Sequence, residues 1–167
     1  MANAALQVKP KDFEPHTGIE KPQMDAISQV LREVLADSFT LYLKTLGVHW
    51  NVVGPSFFGL HKLTEEQYLD MGAAVDAIAE RIRTLGHLAP ASFGDYEKLS
   101  CIQSKDTIAT TQAMIEALVK DNEAVARRLR DAISQADEGD DVVTADMLTA
   151  RLGQHEKNVW MLKAVTT

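Results

Sequence analysis

Residues Ser56 to Gly86 read SFFGLHKLTEEQYLDMGAAVDAIAERIRTLG, and the reading of this stretch decides the fold. It predicts one helix from about Ser56 to Leu85, closed by Gly86, the residue that most readily takes the left-handed conformation after a last turn. His61 and Glu65 are four residues apart, as are Asp76 and Glu80, so each pair projects from adjacent turns of one face. At about 100° per residue, Asp76 lies only about 20° around the axis from Glu65. Along the axis, however, a rise of about 1.5 Å per residue separates those two by about 16 Å. Metal ligands must lie about 2 Å from a transition-metal ion, so one straight helix cannot close a site with these groups. A second copy, running antiparallel across a two-fold axis, could close it.

Three further helices are expected around this one. The first begins near Pro22, a favourable first-turn residue, and carries Ile27, Val30, Leu31, Val34, Leu35, Phe39 and Leu43 at apolar positions. Gly54-Pro55 breaks it after about Asn51, leaving His49 and Trp50 at its end. After Gly86 a Gly-, Pro- and Ser-containing connection runs from His87 to Ser104, with room for a short helix near Tyr96–Cys101. The third helix is expected from Lys105 or Asp106, with Ile108, Ile115, Leu118, Val125, Leu129 and Ile133 at helical spacing. Asp137 to Asp141, around Gly139, form the next turn. The fourth runs from Val142 or Thr144 to Ala164, with Leu148, Leu152, Val159 and Leu162 facing inward. The pattern is all-α: a four-helix bundle with a long crossover between helices 2 and 3. Residues 1–22, with Pro10, Pro15 and Gly18, read as an N-terminal tail or arm, and residues 23–165 as the bundle domain.

Composition bounds the function. Apolar residues at 46% and charged residues at 25% are ordinary for a globular protein, and no apolar run approaches a membrane span. The N-terminus lacks a charged-then-apolar signal pattern, so a cytoplasmic location is expected. The one cysteine, Cys101, reads as a small half-buried residue rather than a redox centre. A net charge of −7 argues against a nonspecific phosphate-binding surface, and Lys9, Lys11 and Lys21 in the tail are offset by Asp12, Glu14 and Glu20. Arg127, Arg128 and Arg130 read as a solvated helix face. His16, alone in the tail, carries little weight as a metal ligand.

Mixed imidazole and carboxylate ligands suit iron, zinc or manganese. The usual di-iron site inside one bundle needs Glu-x-x-His on two helices. Three residues before the five histidines stand Phe13, Leu46, Phe58, Thr84 and Leu152, so that design is excluded. Two second helices crossing near Asp70 and Met71 would instead bring His61 and Glu65 of one to Asp76 and Glu80 of the other. His49 completes the set, giving two equivalent sites per dimer. Gly72, Ala73, Ala74 and Ala77 would permit close approach at the crossing, and fit ordinary packing equally well.

The run His49-Trp50-Asn51-Val52-Val53-Gly54-Pro55-Ser56-Phe57-Phe58, followed by His61, Glu65, Tyr68, Asp76 and Ala79-Glu80-Arg81, resembles the signature of the Dps mini-ferritins. The closing His155-Glu156-Lys157 and Trp160-Met161-Leu162 extend the resemblance over about Met24 to Ala164. It implies a ferritin-like bundle and a hollow dodecamer built from two-fold dimers. The implied activity is a ferroxidase that oxidises Fe(II), preferably with hydrogen peroxide, and stores ferric mineral inside. By resemblance, His49, His61 and Glu65 are ligands from one subunit, and Asp76 and Glu80 from its neighbour. Trp50 would donate electrons near the iron, and Asp137, Asp141 and Asp146 would line an iron-entry pore, against the alternative of caps and surface charges. Arg81 is expected in an ion pair, and Thr64 stands where an aromatic residue is frequent. DNA contact in the family often uses a lysine-rich tail; the nearly neutral tail here disfavours direct DNA binding, nucleoid association stays open beside the cytoplasmic location, and removal of iron and peroxide protects DNA without contact. The rival readings are a DNA-compacting protein with secondary iron chemistry and an inert structural bundle.

Overall fold

The computed structural model describes residues 15–103 and 110–165. Five helices follow in order: α1 (Lys21–Asn51), α2 (Phe57–Thr84), α3 (Phe93–Leu99), α4 (Thr111–Glu138) and α5 (Val142–Ala164). Pro22 sits in the first turn of α1, where its missing N–H costs nothing. The helix stops where Val52 turns extended and Gly54 takes φ 105°, ahead of Pro55. Gly86 closes α2 at φ 87°, and the His87 amide donates back to the Ile82 carbonyl at 3.2 Å.

The crossover helix, α3, lies a few residues upstream of the expected Tyr96–Cys101. Its start is fixed by Ser92, whose hydroxyl accepts from the Asp95 amide at 3.1 Å. The expected third-helix start at Lys105 or Asp106, with Ile108, lies outside the described residues. Within them the helix begins at Thr111, capped by the Thr110 hydroxyl accepting from the Ala113 amide. Between α4 and α5, Asp140 takes φ 56° and the Asp141 amide donates to the Ala136 carbonyl at 2.9 Å. A Cβ on Gly139 would fall 2.8 Å from Ile27 Cδ1, so a larger residue in this turn would have to displace the tip of that side chain.

α1 packs on α2, α4 on α5, and α1 on α4, while α2 and α5 meet only briefly and α3 lies against α1. The centre is filled by Leu31, Leu35, Leu60, Ile78, Leu118, Leu129, Leu148 and Leu162, all essentially inaccessible. Leu152 and Val159 are half-buried, and Leu43, read with the apolar face of the first helix, is exposed. No helix among the described residues is long and apolar enough to cross a membrane.

Among the polar side chains buried in this core, Asp37 and His155 bear most directly on stability. Asp37 on α1 has no exposed surface and accepts from the Cys101 amide (2.6 Å), the Ser100 hydroxyl (2.9 Å) and the Cys101 thiol (3.3 Å). This ties the end of the crossover to α1. Burial pushes the Asp37 pKa up, opposed by the Cys101 amide and by Arg128, whose Nε lies 3.4 Å away. Arg128 also bonds Glu33, and Arg130 bonds Glu156. The expected solvated arginine face is therefore broken up: Arg128 turns inward between α4 and α1. Cys101, expected half-buried, is exposed as a residue, yet desolvation of its thiol and the Asp37 charge push the thiol up to about 11, which keeps it protonated at neutral pH.

His155 on α5 is the second. Its Nδ1–H donates to Asn122 Oδ1 at 2.9 Å, and Asn122 Nδ2 donates to the Leu118 carbonyl, which fixes the orientation of the amide. Burial, then the Arg151 charge, pushes the His155 pKa down to about 3, so it folds neutral. An unfolded histidine takes up a proton near pH 6.5, so this contribution to stability is complete above that pH and is lost on acidification. Lowering the pH from 6.5 to 5 is expected to cost about 2 kcal/mol in urea unfolding through this residue. His155→Gln should flatten that part of the profile, and an equally steep variant profile would remove the explanation.

Candidate metal centre

The last turn of α1 and the first turns of α2 bring His49 and His61 face to face. Their rings stack with centroids 3.8 Å apart and planes 17° from parallel. The bonding is reciprocal: His49 Nδ1 lies 2.9 Å from the His61 carbonyl, and His61 Nδ1 lies 2.9 Å from the His49 carbonyl. A carbonyl oxygen only accepts, so both Nδ1 atoms carry the proton. Each ring therefore keeps a lone pair at Nε2, the arrangement by which a ligating histidine is oriented for a metal ion. The Gly54-Pro55 turn supplies the reversal that makes this crossing geometrically available.

The surroundings hold both rings in place. Tyr68 meets His49 edge-on at 5.1 Å, and Phe57 stacks on His61 at 5.1 Å. Thr64 is fully buried beneath them; its hydroxyl bonds the Leu60 carbonyl at 2.8 Å and lies 3.5 Å from His49 Nδ1. A larger side chain at this position would occupy that space, so the residue acts on packing. Glu65 stands one turn after His61 and bonds Lys62 at 2.7 Å. That bond and the Lys62 charge lower the Glu65 pKa, so the carboxylate is ionised beside the histidine pair.

Asp76 and Glu80 lie exposed on the same helix, about 16 Å and more beyond Glu65. Among the described residues of one chain, no three His, Cys, Asp or Glu side chains converge to hold a metal ion. The face of α2 that carries Asp76 and Glu80 also exposes Leu69 (60%), Ala73 and Ala77. Gly72 and Ala74 belong instead to packing within the chain: Ala74 is buried, and a Cβ on Gly72 would lie 3.5 Å from the Tyr42 ring. Trp50 is 65% exposed, so it is no part of this chain's own core.

A ferritin-like domain model matches residues 28–167. A DNA protection during starvation protein from Bacillus anthracis is 36% identical over 138 residues, covering 83% of this chain and 94% of that protein. Another from Brevibacillus brevis is 35% identical, covering 83% and 93%. This chain belongs to the Dps family of ferritin-like proteins. Among solved structures, a Dps protein from Vibrio cholerae O1, described as a member of a broad superfamily of ferritin-like diiron-carboxylate proteins, matches with TM-score 0.86. That match has 30% identity and covers 93% of this chain and 98% of the other. A Dps protein from Bacillus brevis matches with TM-score 0.84 at 32% identity, covering 89% and 100%.

Within this Dps chain the three aspartates around the start of α5 separate. Asp137 and Asp146 are exposed. Asp141 is not a free pore-lining group: it is 1% exposed and caps α5, its Oδ1 accepting from the Thr144 amide (3.0 Å) and Arg81 (2.6 Å), its Oδ2 from the Thr144 hydroxyl (2.6 Å). Those bonds outweigh burial and leave the Asp141 pKa below the usual range. The expected Arg81 ion pair is thus made with Asp141. The Asp-x-x-Thr spacing before the helix is a cap signal visible in the sequence. The crossed histidine bonds carry no such signal, since they join residues twelve apart across a turn.

Proposed function

We infer that the chain is the subunit of an iron-storing ferroxidase. The observation that carries the reading is the stacked histidine pair, its Nδ1 atoms bonded to backbone carbonyls and its Nε2 atoms, among the described residues, left to a ligand, beside the ionised Glu65. His49, His61 and Glu65 form one half-site. Asp76 and Glu80 of the partner subunit, brought over by two α2 helices crossing antiparallel, form the other. The substrates are Fe(II) and hydrogen peroxide. Two Fe(II) ions each give one electron, peroxide takes both with two protons, and two waters leave. Carboxylate oxygens favour the ferric product, so the reaction is drawn forward without releasing hydroxyl radical.

The assembled cage is a hollow dodecamer holding ferric mineral, with Asp137 and Asp146 as the pore residues that attract entering cations. The exposed Leu69, Ala73 and Ala77 support a close α2 pairing, and the exposed Trp50 is left available to the shared site. DNA is protected in the cytoplasm by removal of iron and peroxide; the charge of −7 supports a route without DNA contact. Native mass measurement should give about twelve times the 18.4 kDa chain. The same sample should take up Fe(II) and hold it as ferric mineral. A monomer, or a cage that leaves iron free, overturns the reading.

A further inference from the structure

His155 belongs to a closing run that the metal centre does not use, and it lies in a polar seam between α2 and α5. Two ion pairs fix the register of these helices: Arg81 meets Asp141 at 2.6 Å, and Arg151 meets Asp70 at 2.8 Å. Moving down α2 from Arg81 to Asp70 means moving up α5 from Asp141 to Arg151, so the two run antiparallel. The same register sets Gln67 opposite Gln154 and His155, and Thr64 opposite Asn158. Gln67, His155 and Asn158 are at most 3% exposed. They form a buried polar layer about one turn along α2 from Thr64, the residue beneath the histidine pair. The hydrogen bonds within this layer do not close. Gln154 Nε2 donates to Asn158 Oδ1 at 3.0 Å, which turns Asn158 Nδ2 elsewhere. That Nδ2 and Gln67 Nε2 have no partner among the described residues. His155 gives its Nδ1–H to Asn122 Oδ1, so its Nε2 carries the lone pair and accepts.

We propose that this seam binds a buried water, which accepts from Gln67 Nε2 and Asn158 Nδ2 and donates to His155 Nε2. Two unpaired amide donors in a core are costly, and water is the molecule that bridges such groups when two to four of them converge. A cation does not fit, because the amide groups present hydrogen atoms. The rival occupant is an anion, since Arg151 Nε and Nη2 in the same seam also lack an acceptor among the described residues. Charge decides against it. Arg151 is already paired with Asp70 and His155 folds neutral, so an added ion would be buried without compensation. The water joins α2 to α5 at a depth where the two helices otherwise meet only briefly. With Asn122 holding His155 from α4, three helices are then linked through one chain of bonds. α2, which carries His61 and Glu65, is thereby tied to the half of the bundle that holds neither.

High-resolution diffraction from crystals of the unmodified protein, with and without a sodium bromide soak, is the first test. Expected is one density peak within hydrogen-bond distance of Gln67 Nε2, Asn158 Nδ2 and His155 Nε2, repeated in every subunit and without bromide anomalous signal. A direct bond from Gln67 to His155, a seam with no density, or an anomalous bromide peak overturns the proposal. Urea unfolding of Gln67→Met, Asn158→Leu and the double variant is the second. Each single change should lower the unfolding midpoint. Groups that act through one shared water are coupled, so the double variant should lose clearly less than the sum of the two single losses. Losses that simply add would overturn the proposal, and a variant that fails to fold leaves the diffraction result to decide.

Discussion

Two inactive variants, once mixed, are expected to recover part of the iron oxidation that neither has alone. An assembly of His49→Ala/His61→Ala chains keeps Asp76 and Glu80, and one of Asp76→Ala/Glu80→Ala chains keeps the histidine pair. Each should oxidise Fe(II) with peroxide at least about 100-fold more slowly than the unmodified assembly, because loss of ligands removes the bound metal. After dissociation and co-assembly at equal amounts, half of the two-fold dimers are mixed. Each mixed dimer has one complete site and one left with Glu65 alone, so about a quarter of the full rate should return. The argument rests on distance: groups about 16 Å apart along α2 cannot share an ion within one chain. Stopped-flow absorbance of the ferric product measures the recovery. No recovery from well-formed mixed cages would rule out the two-subunit centre, as would full activity of either parent.

The second large effect lies far from the metal ligands. Arg128→Ala is expected to destabilise the fold by about 3 kcal/mol at neutral pH, because it leaves the wholly buried Asp37 charge without its cation. The pH dependence identifies the cause. Burial raises the Asp37 pKa in the fold, so protonating it is easier folded than unfolded. Removal of Arg128 raises it further, so the deficit should shrink as the pH falls from 7 towards that pKa. Adding Asp37→Asn to the variant should restore part of the loss at neutral pH for the same reason. Urea unfolding over a pH series measures both, and a deficit that stays constant with pH would point to Glu33 or lost packing instead.

The bundle was legible because its apolar positions recur at helical spacing and its breaks fall on Gly54-Pro55 and Gly86, residues that act locally. The α4 start was less so. Helical patterning does not distinguish a helix from the residues leading into it, whereas the Thr110 cap is a single hydroxyl reaching the Ala113 amide. At the site, the separation of His61 and Glu65 from Asp76 and Glu80 followed from α2 alone, since one helix fixes its own spacings. The crossed ring-to-carbonyl bonds, the Tyr68 contact and the Lys62–Glu65 pairing depend on how α1 lies over α2, which spacing does not encode. Arg128 and Asp141 show the same limit in reverse. Both look like surface charges on their own helices and are drawn inward by partners, Asp37 and Arg81, that lie sixty or more residues away.

The reciprocal bonds between His49 and His61 also have a consequence for the order of biogenesis. They need only the α1–α2 hairpin, the first part of the described chain to be synthesised, and each backbone holds the other's ring without help from α4 or α5. A growing chain can therefore set this half of the centre while the second half of the bundle is still being made. In the two-subunit reading it remains harmless at that stage, for the carboxylates on its own helix are out of reach. On that reading iron would be held only after a finished partner arrives, so the proposed centre would be switched on by assembly itself and not by translation.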